Sequence, residues 1–199
     1  VIMGTAKIKK GGKIEVKAAD GSCKEYTAKH TILATGARSR ELPNLPQDGK
    51  KIIGYRQAMN LPTQPKSLVV VGSGAIGVEL AYFYNTIGTK VTIVEFMDRI
   101  VPVEDEEVSK QLEKSLKKSG IDILTKSEVT SVDTSGALSK VTIKTAKGTE
   151  TIEAEVVLSA VGIMPNIENL GLEEVGVKVD KGRVLVDDYY KTNIDGVYA

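Results

Sequence analysis

From Val1 to Gly36, apolar and polar positions follow the two-residue rhythm of strands broken by turns. Val1-Ile2-Met3-Gly4 reads as the middle of a strand entering a turn. Ile14 and Val16 share one face of Lys13–Lys17, Asp20-Gly21 is a hairpin signal, and Lys24–Ala28 returns with little hydrophobicity. His30–Thr35 reads as a short buried-type strand ending at Gly36. Pro43, Pro46, Asp48-Gly49, Pro62 and Pro65 then punctuate a linker around a short helix predicted near Tyr55–Leu61. Pro and Gly at this density predict a crossing between domains.

Ser67–Val71 is apolar without alternation, as expected of a parallel strand covered on both faces. A helix predicted from about Ala75 to Ile87 follows, ended by Gly88, and then a second strand at Lys90–Glu95. Together they form a βαβ unit. Glu104–Ser119 places Val108, Leu112 and Leu116 on one helical face. Glu104, Asp105, Glu106 and Glu107 fill its first turn and Lys117 and Lys118 its last, both complementing the helix dipole. Gly120 stands where a left-handed cap belongs. The four carboxylates could also be read as a metal site, but the dipole accounts for them and no metal is expected. Strands follow at Asp122–Thr125, Val129–Asp133, Lys140–Thr145 and Thr151–Leu158, the last three as an antiparallel meander.

Charge changes this picture little. Twenty-seven basic and 26 acidic residues leave a net charge of +1, which argues against a coat for nucleic acid or an anionic membrane. Hydrophobic residues at 41% and charged residues at 27% suit a folded domain. No apolar stretch reaches the ~18 residues of a membrane helix, and no signal-peptide series opens the chain. Cys23 is the only cysteine, which excludes an intrachain disulfide, a CxxC motif or a cysteine-rich zinc site. A cytoplasmic protein is expected. The apolar, β-prone character of both ends predicts that the chain is a piece of a longer protein.

The chemistry lies in Gly72-Ser73-Gly74-Ala75-Ile76-Gly77, a GxGxxG run with a strand before it and a helix after it. Gly72 permits the tight turn, Gly74 leaves room for a pyrophosphate, and Gly77 lets the helix lie close on the sheet. The first amides and positive end of the helix would hold the pyrophosphate. Glu95 follows roughly 20 residues after Gly72, where a carboxylate accepts hydrogen bonds from the adenosine ribose. It would repel a 2′-phosphate, favouring NAD(H) over NADP(H). Arg99 is read as the only nearby cation able to counter it. A nucleotide-free glycine turn is the alternative. The expected fold class is α/β: a Rossmann-like NAD-binding domain with a parallel sheet and a β-meander crossover.

The same residues resemble the pyridine nucleotide–disulfide oxidoreductase flavoproteins, and within them the dihydrolipoamide dehydrogenase branch. Three further segments carry the likeness: Thr31–Ala37 with its Ala34-Thr35-Gly36 core, Leu158–Asn166 with its A-x-G-x-x-P-N pattern, and Val184–Ala199. The resemblance implies that Gly72 to Ile76 line the NAD pyrophosphate, Glu95 meets the adenosine ribose and Val129 flanks the adenine. Ala160, Val161, Gly162 and Ile163 would line the nicotinamide end, and Glu79 would face the nicotinamide–flavin region, its alternative being an ordinary exposed helix carboxylate. Ile163 replaces an Arg frequent in the family. Gly4, Thr35, Gly36 and Ala37 would contact FAD in the intact protein. The implied domains are remnant FAD-domain strands over 1–46, an NAD-binding domain over 47–181, and a return strand to the FAD domain over 182–199.

The family's redox cysteine pair and its partner-supplied His–Glu pair have no counterpart here. Cys23 reads as a bland thiol and His30 as a core or edge histidine, so no catalytic residue is expected in this chain. The resemblance implies hydride exchange between NAD and FAD in a homodimer, with a redox-active disulfide passing electrons to or from a small dithiol or lipoyl-domain substrate. NADH oxidases, ferredoxin-type and glutathione-type reductases, and a non-catalytic NAD(H)-sensing module remain open alternatives. Cysteines encoded upstream of Val1 discriminate among the enzymes.

Overall fold

The computed structural model describes all 199 residues. In chain order it begins with β1 (Thr5–Lys9), β2 (Lys13–Lys17), β3 (Cys23–Thr27), β4 (Thr31–Ile32) and β5 (Ala37–Ser39). Then come β6 (Ile52–Ile53), α1 (Tyr55–Ala58), β7 (Ser67–Val71), α2 (Ala75–Thr86), β8 (Lys90–Val94), α3 (Glu106–Lys118) and β9 (Asp122–Leu124). The meander strands are β10 (Glu128–Asp133), β11 (Ser139–Thr145) and β12 (Gly148–Ala154), followed by β13 (Val156–Ser159) and β14 (Ile163–Pro165). The chain closes with α4 (Leu172–Val175), β15 (Val179–Asp180), β16 (Arg183–Val184) and β17 (Val197–Tyr198).

Backbone contacts divide the chain into two compact units, Ser39–Ile163 and Val1–Arg38 with Met164–Ala199. The contacts divide the chain at 38/39 and 163/164, so the expected boundaries at 46/47 and 181/182 fall inside these units: Leu42 and Leu45 pack into the core of Ser39–Ile163 and Leu172 into the core of the other.

The Ser39–Ile163 unit is an α/β fold. Its five-stranded sheet runs β6-β13-β7-β8-β9, with all four pairings parallel. Leu68 and Val70 of β7 point into one core cluster with residues of α2 and α3, while Val69 and Val71 point into a second with the meander. Val156, Leu158 and Val157 of β13 divide between the faces in the same way. Cover on both faces is why β7 needs no polar alternation.

Three expectations for this unit are corrected. Thr151–Leu158 is not one strand: β12 pairs antiparallel with β11, and β13 leaves the meander for the parallel sheet. Glu155 marks the break, accepting from Lys66 N at 2.7 Å and donating its own amide to Ser67 Oγ at 3.0 Å. Val108 is 55% exposed, and Ser109 turns inward instead, its hydroxyl donating to Ile100 O at 2.7 Å. The first turn of α3 is Glu106 and Glu107, with Asp105 as N-cap accepting from the Glu107 amide at 2.8 Å.

In the other unit, β1, β2 and β3 form an antiparallel sheet, with Asp20-Gly21 turning β2 into β3. Val1–Met3 lie exposed ahead of β1 and join no strand. His30–Thr35 is not a buried strand. Only Thr31–Ile32 pair, parallel with Val197–Tyr198, and Ile32 is 74% exposed because no layer covers it. The β4–β17 ladder thus joins the segment before Ser39 to the end of the chain.

Candidate functional site

β7 brings the chain to the carboxyl end of the parallel sheet, where it turns into α2 across Gly72-Ser73-Gly74. Gly72 has φ +97°, and a Cβ there would stand 2.6 Å from Ala160 O. At Gly77 a Cβ would collide with the Gly72 carbonyl oxygen, so α2 meets the sheet only through a residue without a side chain. Gly74 is different. It has φ −67°, and a Cβ would find nothing within 4 Å. Its freedom serves neither the turn nor the packing. The amides of Gly74, Ala75 and Ile76 donate to no acceptor in the chain, as the first N–H groups of a helix cannot. No acidic residue occupies the first turn of α2.

Glu95 follows β8 and is buried. Its Oε2 accepts from the Ser73 amide at 2.8 Å and the Ser73 hydroxyl at 2.5 Å, and its Oε1 accepts from the Met97 amide at 2.8 Å. The carboxylate therefore fastens the glycine turn to the end of β8. Ser73, also buried, spends its amide on Glu95 and has no donor left for a phosphate. Its role is to orient Glu95.

These residues line one cleft of about 810 Å³. Gly72 to Ile76, Glu95, Val129 and Ala160 to Ile163 all border it, so the structure gathers nearly the whole predicted dinucleotide set from four separate segments. Gly77 is buried behind the turn, and Glu79 is an exposed residue of α2 outside the lining. Sequence reading missed Arg40, Leu42 and Asn44, which form one wall, and Phe96, Met97, Pro102 and Val103. The wall lies in a segment read as linker punctuation; only its alternation of Arg40, Leu42 and Asn44 hinted at an extended segment with one ordered face. Arg99 is not the cation of the cleft. Its Nη2 donates to Pro102 O at 3.3 Å and it does not line the cavity, whereas Arg40 does.

In the other unit, Thr35 Oγ1 donates to Asn166 O at 2.6 Å, and Asn166 returns its amide to Gly36 O at 2.9 Å and its Nδ2 to Thr35 O at 3.2 Å. Thr35, Gly36 and Asn166 thus form one hydrogen-bonded loop pair, with Ala37 beginning β5. Gly4 lies against Lys17 O, where a Cβ would approach to 2.6 Å. Arg38 donates to Glu168 at 2.6 and 3.1 Å, and that hydrogen bond holds the Glu168 carboxyl below the usual range. Cys23 is exposed, and His30 is exposed with its ring edge-on to Tyr198 at 6.0 Å. The carboxylates at Glu104–Glu107 do not converge: Asp105 caps α3 and Glu106 pairs with Lys110. No helix is long and apolar enough to cross a membrane.

Comparison with known proteins extends the likeness over the whole chain. The family described as pyridine nucleotide-disulphide oxidoreductase matches residues 1–199. The chain is 44% identical to a dihydrolipoyl dehydrogenase of Rhizobium etli, over all of this chain and 44% of that protein. It is 41% identical to a mitochondrial dihydrolipoyl dehydrogenase of Pisum sativum, over all of this chain and 40% of that one. Among solved structures, LpdA from Mycobacterium tuberculosis superposes with a TM-score of 0.86 at 35% identity, covering 99% of this chain and 44% of that one. The chain therefore spans less than half the length of these relatives.

Proposed function

The chain belongs to the pyridine nucleotide-disulphide oxidoreductase family, and from that premise we propose that its Ser39–Ile163 unit is the NAD(H)-binding part of a flavoprotein with dihydrolipoyl dehydrogenase activity. The open position at Gly74 carries this reading. Gly72 and Gly77 are filled in by the protein's own atoms, while the space beside Gly74 opens on a cleft bordered by three unpaired amides. A diphosphate suits that space: it needs donors and a close approach of backbone, and the end of α2 offers both.

Within this reading the residues have separate tasks. The Gly74, Ala75 and Ile76 amides bind the pyrophosphate. Glu95, held by Ser73 and Met97, presents its carboxylate to the adenosine ribose. Val129 packs on the adenine, and Ala160 to Ile163 keep water from the nicotinamide end. NAD is assigned over NADP because the carboxylate of Glu95 would face a 2′-phosphate. Gly4 and Thr35 to Ala37 would form a minor part of an FAD site completed by sequence outside this chain. When bound, the flavin supplies two-electron exchange between the nicotinamide and a redox-active disulfide that lies outside this chain, as does a dithiol substrate such as dihydrolipoamide. A homodimer in the cytoplasm completes the proposal.

Gly74→Ala tests the site without disturbing the fold, because its backbone suits any residue and its Cβ meets nothing. We expect an unchanged thermal midpoint and a loss of NADH binding of at least tenfold by calorimetry. Binding equal to that of the unsubstituted protein would overturn the site. For the whole protein, the measurement is reduction of NAD dependent on dihydrolipoamide.

A further inference from the structure

We propose that Arg40 is a binding residue for the pyrophosphate of the dinucleotide, lying on the wall of the cleft formed by Arg40, Leu42 and Asn44. The inference rests on the dinucleotide reading above and adds a residue that the glycine fingerprint does not contain.

Arg40 is the only Lys or Arg bordering the cleft, whose other charged residues are Glu95 and Glu128. Its guanidinium is exposed and has no hydrogen-bond partner in the chain. Its backbone, by contrast, is fixed. Arg40 N donates to Gly162 O at 3.0 Å, Leu42 packs on the second core cluster, and Asn44 Nδ2 donates to Val129 O at 2.8 Å. The wall is thus tied to the segment after β13 at one end and to β10 at the other, while the one long cation it carries is left unpaired. A diphosphate brings two negative charges into a cleft whose fixed carboxylates repel it. The amides of α2 supply donors but no net charge. An arginine fork supplies both, in a geometry matched to phosphate oxygens.

Sheet order fixes which part of the ligand Arg40 can reach. β13 and β8 lie on opposite sides of β7. Gly162, next to Arg40, follows β13; Glu95 follows β8; the glycine turn follows β7 between them. The backbone of Arg40 therefore stands on the far side of the turn from the ribose carboxylate, so in this proposal its side chain meets the pyrophosphate and not a 2′-phosphate.

The test uses the intact protein and non-reducible probes: ADP-ribose, its 2′-phosphate analogue and adenosine, titrated at two salt concentrations. Arg40→Ala should weaken both ADP-ribose ligands alike by roughly tenfold, leave adenosine unchanged and flatten the salt dependence of ADP-ribose binding. Arg40→Lys should recover part of the affinity. Unchanged ADP-ribose affinity in Arg40→Ala, an equal loss for adenosine, or a changed preference between the two ADP-ribose ligands would each overturn the assignment. Absence of ADP-ribose binding by the unsubstituted protein would overturn the dinucleotide reading itself.

Discussion

Glu95 holds the glycine turn through Ser73 and Met97, and in the proposed function the same carboxylate meets the adenosine ribose. Its spacing from Gly72 marks it in the sequence as a ribose carboxylate, but nothing in the spacing reveals that Ser73 and Met97 hold it. Removing it leaves the buried Ser73 amide and hydroxyl without an acceptor, so Glu95→Ala should cost about 1–3 kcal/mol of stability, read by chemical denaturation. The ligand effect is separable. Charge-assisted hydrogen bonds to ribose hydroxyls and repulsion of a 2′-phosphate together predict that NADH binds at least tenfold more tightly than NADPH. Calorimetry at fixed salt checks this, and equal affinities in the unsubstituted protein would remove Glu95 from the role. Arg99→Ala should leave the ratio alone, since Arg99 is turned to Pro102 and outside the cleft.

At the scale of elements, α2 runs twelve residues without a side-chain cap or charged ends, while α3 has local support at both. Asp105 caps α3, and Lys117 pairs with Glu113 near its end. Asp105→Ala should lower stability by about 1 kcal/mol, measurable as a shift in denaturation midpoint. β6 depends instead on a loop. Asp48 Oδ1 accepts from the amides of Lys50, Lys51 and Ile52 at 2.8, 2.8 and 2.9 Å, positioning the strand that forms one edge of the parallel sheet. Partial burial would raise the Asp48 carboxyl, but these three backbone amides outweigh it and hold it below its usual value. A lowered carboxyl stabilises the fold fully above its unfolded value, about 3.9. That contribution is lost as pH falls through the lower folded value. Asp48→Ala should therefore cost about 1 kcal/mol at neutral pH, a small figure because the residue remains largely open to solvent. The difference from the unsubstituted protein should vanish in strong acid; a difference constant from pH 7 to pH 2 would refute the loop's role.

At the scale of the molecule, each unit has its own core: two clusters in Ser39–Ile163, one on either face of the sheet, and a third in the other unit around Ile8, Leu172, Val177 and Val197. The second unit is built largely of two- and three-residue pairings besides the β1–β3 sheet, and leaves Ile32, Tyr189 and Tyr190 exposed. In the proposed function its Thr35–Ala37 loop and Gly4 form only a minor part of a flavin site. The 199-residue chain by itself should accordingly bind ADP-ribose while remaining colourless after incubation with FAD and desalting. Flavin absorbance in the desalted sample would contradict this.

Local signals were sufficient where one segment contains its own cause. The βαβ unit, the glycine turn, the hairpin at Asp20-Gly21 and the α3 helix each follow from period, turn chemistry and capping within a few residues, and Glu95 follows from its distance to Gly72. Partners distant in sequence settled the rest. Thr151–Leu158 reads as one strand, yet its halves join different sheets because β11 and β7 each offer a free edge. Thr31–Ile32 has the composition of a buried strand and stays exposed because no layer is built over it. Arg40 lies in a stretch that reads as linker, and becomes part of the cleft wall only when Gly162 and, through Asn44, Val129 anchor it. A side chain's local pattern determines which element it joins; the surfaces that meet it after the chain has closed determine whether it is core, wall or site.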